Sequence, residues 1–416
     1  MDLIRHRYCR RHTADLVACL LLASCCSLGS NTASAGEWDI SGYLAGELRI
    51  FPEAPAFRGQ DDTTLSPSIV AVPEFVFQWN EDVDRLTFVP FFRVDGHDGN
   101  RTHADLRQAS WLHIGETWDL VVGVDKVFWG VTESRHLVDI VNQNDQVEDI
   151  DSEDKLGQPM INLNVYRTWG DLGLFLLPYF RERTFPASDA RLRGPLPVAK
   201  NKAMFESRDG KENLDIALRW SHVIGNWDIG LAYFDGTSRE PRLVPAPDEG
   251  GTPALIPFYD LIRQASADAQ LTEGAWLWKL EALHRDGHGD RFSAAVVGFE
   301  HTTFGVRGTS ADLGLLVEYL YDDRNPEIAP PTALDDDYFL GARLTLNDTQ
   351  DTSALVGTII DRNLGSSIVF IEAERRIGNS WRFEIEGRMF FNIDKDDPLF
   401  GFANDSFFTL RLSRFL

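Results

Sequence analysis

Trp381-Arg-Phe-Glu-Ile-Glu-Gly-Arg-Met-Phe-Phe-Asn-Ile393 alternates apolar and polar residues almost without a break. Trp381, Phe383, Ile385, Met389, Phe391 and Ile393 fall on one side, and Arg382, Glu384, Glu386, Arg388 and Asn392 fall on the other. A period of two held over so long a run belongs to a strand, because a helix would spread both sets around its circumference. The same alternation marks Trp38–Ile50, Leu214–Trp220, Trp276–Arg285 and Leu313–Asp322. Strands of this length exceed the roughly five or six residues usual in soluble sheets. They match the roughly ten residues that cross a bilayer at a tilt of about 45°. Trp38, Trp79, Trp118, Trp169, Trp227 and Trp381 sit at the ends of the apolar faces, as an interfacial girdle requires.

Composition excludes several classes. The 416 residues carry a formal charge of −24, yet 27 Phe and 11 Trp are too many for an acidic disordered chain. The four cysteines (Cys9, Cys19, Cys25, Cys26) all precede residue 27, which rules out a disulfide scaffold, a zinc module or a thiol enzyme in the rest. Clustered Lys and Arg are lacking, so nucleic acid is not an expected partner. Neither a Gly-x-Ser-x-Gly elbow nor a His-Glu-x-x-His spacing occurs. No catalytic residue, metal or cofactor is expected.

The N-terminus reads as an export signal. Arg5, Arg7, Arg10 and Arg11 precede the apolar run Leu16–Ala23, and Ala33-Ser-Ala35 offers a cleavage site. Residues 1–35 are therefore assigned to a signal peptide and 36–416 to one domain. Leu22-Ala-Ser-Cys25 resembles a lipobox, which leaves lipidation at Cys25 as the alternative. Beyond residue 35 no run of 18 apolar residues exists, so a membrane fold must be a closed barrel.

Short connections alternate with longer polar ones. The short set is 80–84, 115–117, 170–171, 222–226, 273–274, 305–311, 347–352 and 378–380; the outer set includes 52–65, 129–158, 183–212, 237–264, 324–336 and 394–404. Together they predict an all-β, transmembrane, antiparallel up-and-down barrel of eighteen strands, or sixteen if the weak segments 264–272 and 353–362 are not strands. The last strand ends on Phe415-Leu416, like the terminal signal read by the barrel-assembly machinery, although Arg414 stands where an apolar outward residue is usual. The expected surroundings are the outer membrane of a Gram-negative bacterium, with its lipid and lipopolysaccharide.

Placing each polar face inside gives a lumen of nearly balanced charge. Its expected pore-lining residues are Arg49, Arg93, Arg219, Lys279, Glu281, Glu318, Arg343, Arg382, Glu384, Glu386 and Arg388. An eighteen-stranded barrel is too wide for wall side chains to fill. Segment 129–158 contains Leu137, Val138, Ile140 and Val141, too apolar for an exposed loop, and should fold inward as a constriction. Arg135, His136, Asp139 and Asp145 would line the path or pack against the wall. Asp149-x-Asp151-x-Glu153 lacks the glycine and terminal glutamate of an EF-hand loop, which argues against calcium there.

Val124-Asp-Lys-Val-Phe-Trp-Gly130 followed by Val138-Asp-Ile-Val-Asn142, together with Gly298-Phe-Glu-His-Thr302, Asp312–Asp322 and Asp396-Asp-Pro-Leu399, resembles a family of proteobacterial outer-membrane proteins. The architecture is similar to that of alginate-export-type and substrate-selective porins. The resemblance implies a porin-like channel for passive passage of small hydrophilic solutes. The balanced lumen departs from the strongly basic one expected of alginate export. The alternative is a largely sealed barrel acting as a scaffold or partner-binding protein through its acidic surface loops.

Overall fold

The computed structural model describes residues 36–247 and 250–416; the expected signal segment, its cleavage site at Ala35 and the alternative anchor at Cys25 lie outside the described residues. Eighteen strands form one closed sheet. They are β1 Glu37–Ile50, β2 Leu65–Trp79, β3 Asp84–Asp95, β4 His103–Ile114, β5 Trp118–Asp125, β6 Gln158–Arg167, β7 Gly170–Leu177, β8 Asp215–Ile224 and β9 Trp227–Thr237. The second half comprises β10 Leu261–Glu273, β11 Trp276–Asp286, β12 Phe292–Thr303, β13 Asp312–Asp322, β14 Asp336–Thr345, β15 Ser353–Asp361, β16 Ser367–Ile377, β17 Trp381–Phe391 and β18 Phe407–Phe415. Every strand pairs antiparallel with its sequence neighbours, and β1 pairs with β18 from Tyr43↔Phe415 to Ile50↔Phe408. Closure leaves no edge with unpaired N–H and C=O groups, which a lipid environment demands. The two weak segments are both strands, so the number is eighteen and not sixteen.

The outer face is the apolar one. Ile40, Ile69, Phe88, Leu174, Leu231, Leu280, Leu315, Leu340 and Leu412 stand exposed around the wall, the arrangement of a lipid-facing belt. Trp118, Trp169, Trp227, Trp276 and Trp381 all lie exposed next to short turns, and therefore at one rim, where exposed Trp38 joins them by packing on Phe77 near the β2–β3 turn. Tyr321 and Tyr338 mark the other. Arg414 faces outward at the tryptophan rim with its guanidinium over Trp381 at 5.7 Å, so its charge sits in the interfacial layer.

Several boundaries differ from the sequence reading. The expected turns at 170–171 and 273–274 are shifted to 168–169 and 274–275, and the one at 222–226 is tighter, at 225–226. Gly225 (φ +63°) and Gly274 (φ +63°) take the left-handed conformation that two-residue hairpins need, which extends the flanking strands. β5 and β7 have only 8 residues each, because the chain leaves the wall early to enter the lumen or cross its mouth. Segment 237–264, expected as a loop, holds the hairpin Arg242–Pro247/Pro253–Tyr259, joined by Met204–Phe205 into a three-stranded sheet separate from that of the barrel. Its four prolines within the strands masked the pattern.

Candidate functional site

Residues 126–157 connect β5 to β6 and fold into the barrel. Two apolar patches of the inner wall receive them. Trp129, Val138, Ile140 and Val141 pack on Met160, Phe175, Leu177, Ala217, Phe234 and Ile262. Leu137 packs on Leu283, Phe292, Val296, Leu316 and Phe339. Burying each such side chain contributes about 1.5–3 kcal/mol, so the apolar half of the loop is driven inward by area alone.

Wall carboxylates then fix the backbone. Glu281 accepts from Val131 N at 2.7 Å, Thr132 N at 3.0 Å, Thr132 Oγ1 at 2.8 Å and Val138 N at 3.1 Å. Glu318 accepts from Glu133 N at 2.8 Å and Ser134 N at 2.9 Å. A carboxylate offers only acceptors, which is why it suits a turn of converging N–H groups. Glu133 bridges Arg343 at 2.6 Å and Lys279 at 3.7 Å, and Arg135 reaches Asp322 at 3.0 Å.

The second half of the loop reverses the polarity: loop carboxylates meet wall arginines. Glu148 pairs with Arg93 at 2.5 Å, Asp145 with Arg107 at 2.5 Å, Asp149 with Arg49 at 3.5 Å and Asp151 with Arg388 at 2.6 Å. Arg107 is aimed inward by a bulge, where Val89 pairs with Gln108 but Pro90 with Leu106. Behind this seam Glu47 is buried among Arg49, Arg93, Arg101 and Arg411. Burial disfavours the Asp145 carboxylate, but His103, Arg107 and Thr184 outweigh it and hold it at about 2. Burial likewise opposes charge on His136. Its hydrogen bond to Glu153 (3.0 Å) and the Glu281 carboxylate 3.8 Å away, close enough to act as a charge, raise it to about 10.

All eleven wall residues expected to line the pore face inward, but they divide. Arg49, Arg93, Lys279, Glu281, Glu318 and Arg388 are buried beneath the loop. Arg219 is held by Asp268 at 2.9 Å. Arg343 and Arg382 keep 37% and 33% of their side chains exposed, and Glu384 and Glu386 are half-buried. In the loop, Asp139 and Asp145 lie on the underside, fastened to Lys155 and Arg107, and do not face open space. Arg135 and His136 are partly exposed. Sequence reasoning missed Glu133, Arg101 and Arg239, whose side chain donates to Val141 O at 2.9 Å. All three are connection residues, with no periodicity to show that they point inward.

Part of the interior keeps its charged side chains exposed. Glu153 is 55% exposed while lying inside the barrel against His136, and Glu372 and Glu374 on the facing wall are 46% and 43% exposed. His103, Asp145 and Glu148 are the one group of described residues whose ligand-type atoms cluster within 4.8 Å. Arg93 and Arg107 already neutralise its carboxylates, so it does not fit a cation.

Comparison with protein-family models and with curated proteins finds no match. Solved structures do match over nearly the whole chain. A BenF-like porin from Pseudomonas fluorescens Pf-5 superposes with a TM-score of 0.53 at 8% identity, covering 92% of this chain and 98% of that one. OccAB1 of Acinetobacter baumannii gives 0.53 at 7% identity, covering 91% and 96%. At such identities the likeness is one of fold. Barrel, belt and likeness together define an outer-membrane β-barrel of porin-like architecture, consistent with a Gram-negative outer membrane.

Proposed function

We propose that the barrel is a passive channel for small hydrophilic solutes, narrowed by the inward loop 129–158. The observation that carries the reading is the exposure of Glu153, Glu372, Glu374, Arg343 and Arg382 inside a barrel whose remaining interior is packed. Charged side chains keep that exposure only beside water, and a water-filled lumen beside an ordered constriction is what a size-limited pore needs. Mixed charge along it suits polar solutes of either sign over a hydrocarbon cargo. The porin-like fold favours a channel over an enzyme, and lipopolysaccharide and the barrel-assembly machinery are the partners such a barrel would meet.

Liposome swelling tests it. Vesicles carrying the refolded protein should swell in small sugars and amino acids, with a rate that falls steeply as solute size increases. Vesicles that stay as tight as protein-free controls would favour the sealed scaffold instead.

A further inference from the structure

The connection between β7 and β8, residues 178–214, does not return straight to its neighbour. Residues 178–197 form neither strand nor helix, and their contacts trace a route around the mouth opposite the tryptophan rim. Arg181 reaches Asp105 on β4 at 2.5 Å. Ala187 N donates to Asp98 Oδ1 in the β3–β4 connection at 3.1 Å, and Asp189 O accepts from Asp61 N in the β1–β2 connection at 2.7 Å. Arg191 then pairs with Asp405, just ahead of β18, at 2.6 Å. Beyond it the chain turns back, and Pro197 O accepts from Leu255 N in the β9–β10 hairpin at 2.9 Å. Because β1 closes on β18, β18 lies seven places from β7 in the ring of eighteen, so the segment bridges more than a third of the circumference.

This strap roofs the acidic half of the constriction loop. Thr184 Oγ1 donates to Asp145 Oδ1 at 2.6 Å and accepts from Val147 N at 3.2 Å. Leu192 packs with Phe51 and Phe407, and Ile150 of the loop rests against the same cluster. The loop carboxylates that meet wall arginines on one side are therefore clasped from the other.

The far end of the strap converges on one side chain. Asp405, fully buried, accepts from Arg191 Nε at 2.6 Å and from Gln60 Nε2 at 3.0 Å, and Gln60 Nε2 also donates to Arg191 O at 2.7 Å. Arg191 Nη2 donates to Glu53 O at 2.7 Å and Asn404 O at 2.9 Å. Its guanidinium lies over the Phe51 ring at 4.9 Å. Arg191 thus ties the strap to the β1–β2 and β17–β18 connections at once, a task that suits a planar fork of donors and not a single ammonium. A segment without a backbone ladder keeps its place only through such contacts. A buried ion pair also acts as a unit, since removing either partner leaves the other charge uncompensated.

We infer that Arg191 is a positioning residue for the constriction. Its pair with Asp405 holds the strap down over the acidic half of the loop, covers the mouth from β18 to β4, and confines passage to the side lined by Arg343, Glu372, Glu374 and Arg382. The inference rests on the channel reading of the barrel. Releasing the pair frees the strap, unclasps Asp145 and widens the path. The apolar half of the loop, seated on its own wall patches, stays in place.

The experiment compares refolded wild type with Arg191→Gln and Asp405→Asn. The second variant keeps the size of the side chain but turns one acceptor into a donor facing Gln60. In both, amide hydrogen exchange over 183–195 should quicken by at least about tenfold while 131–142 keep their wild-type protection. Single-channel conductance in planar bilayers should rise by at least about 1.5-fold. Faster exchange throughout the barrel with unchanged conductance is what a merely structural pair would give, and it would overturn the inference. Exchange unchanged over 183–195 in both variants would overturn the latch. Faster strap exchange alone, with wild-type conductance, would overturn the strap's hold on the path and leave the channel reading standing. Bilayers silent with wild type and both variants would overturn the channel reading itself, and the effect of the latch on passage with it.

Discussion

Glu281 and His136 carry much of the loop's attachment between them. Glu281 gathers three backbone N–H groups and a hydroxyl on one buried carboxylate, while His136 sits between Glu281 and the solvent-exposed Glu153. Because His136 is raised from 6.5 to about 10, its contribution has a defined sign. The folded state binds the proton more tightly than the unfolded state. The stabilisation is therefore complete below about pH 6.5 and is lost as pH rises through about 10. Melting curves of wild type and His136→Gln should run parallel below pH 6 and converge between pH 7 and 10, as the wild type loses its advantage. A constant gap across that range would show that His136 is not charged in the folded barrel. Asp145 behaves in the opposite sense: held at about 2, it stabilises at all pH values above its unfolded pKa and is lost only in strong acid.

The loop 126–157 is an element with two attachments of opposite polarity, and this decides what its removal does. Its ends are already paired, Asp125 with Gln158, so deletion of 131–145 leaves a connection that can still close. The deletion strips Glu281 and Glu318 of their donors and Phe175, Leu283 and Phe292 of their apolar cover. It should lower the melting temperature by several degrees and raise single-channel conductance; the melting curve and the current trace read the two effects separately. Loss of stability without any gain in current would mean that the loop packs the wall and does not narrow a path. The strand pattern of Trp381–Phe391 was legible in sequence because lipid on one side and water on the other impose a strict period of two. Its partner on the far wall was less legible. Leu283, Val296, Leu316 and Phe339 point inward but are apolar, because they face the loop and not water. Likewise Arg49, Arg93 and Arg388 read as pore-lining on their strands, yet loop carboxylates cover them. Period reports which face a residue takes, not what meets it there.

At the scale of the whole molecule, the acidity takes on a different meaning. A nearly balanced inner wall leaves the surplus negative charge to the connecting loops. Part of it instead turns inward: Asp145, Glu148, Asp149 and Asp151 neutralise wall arginines, and Glu240 joins Arg285 and Arg324 at 3.1 and 2.8 Å. A lumen neutralised this way has no dominant charge to repel small ions of either sign. Fold, belt and closure were within reach of sequence, since each follows from what a bilayer tolerates. The ionic seam was not, since it joins residues up to 237 positions apart. As a channel, the barrel must hold a continuous aqueous path through the part of its interior that the loop leaves uncovered. Single-channel recording of refolded wild-type protein in planar bilayers tests it most directly. An open channel gives discrete, voltage-supported current steps with only weak preference between potassium and chloride, whereas a bilayer that stays silent with inserted, folded barrels would mean that no such path exists.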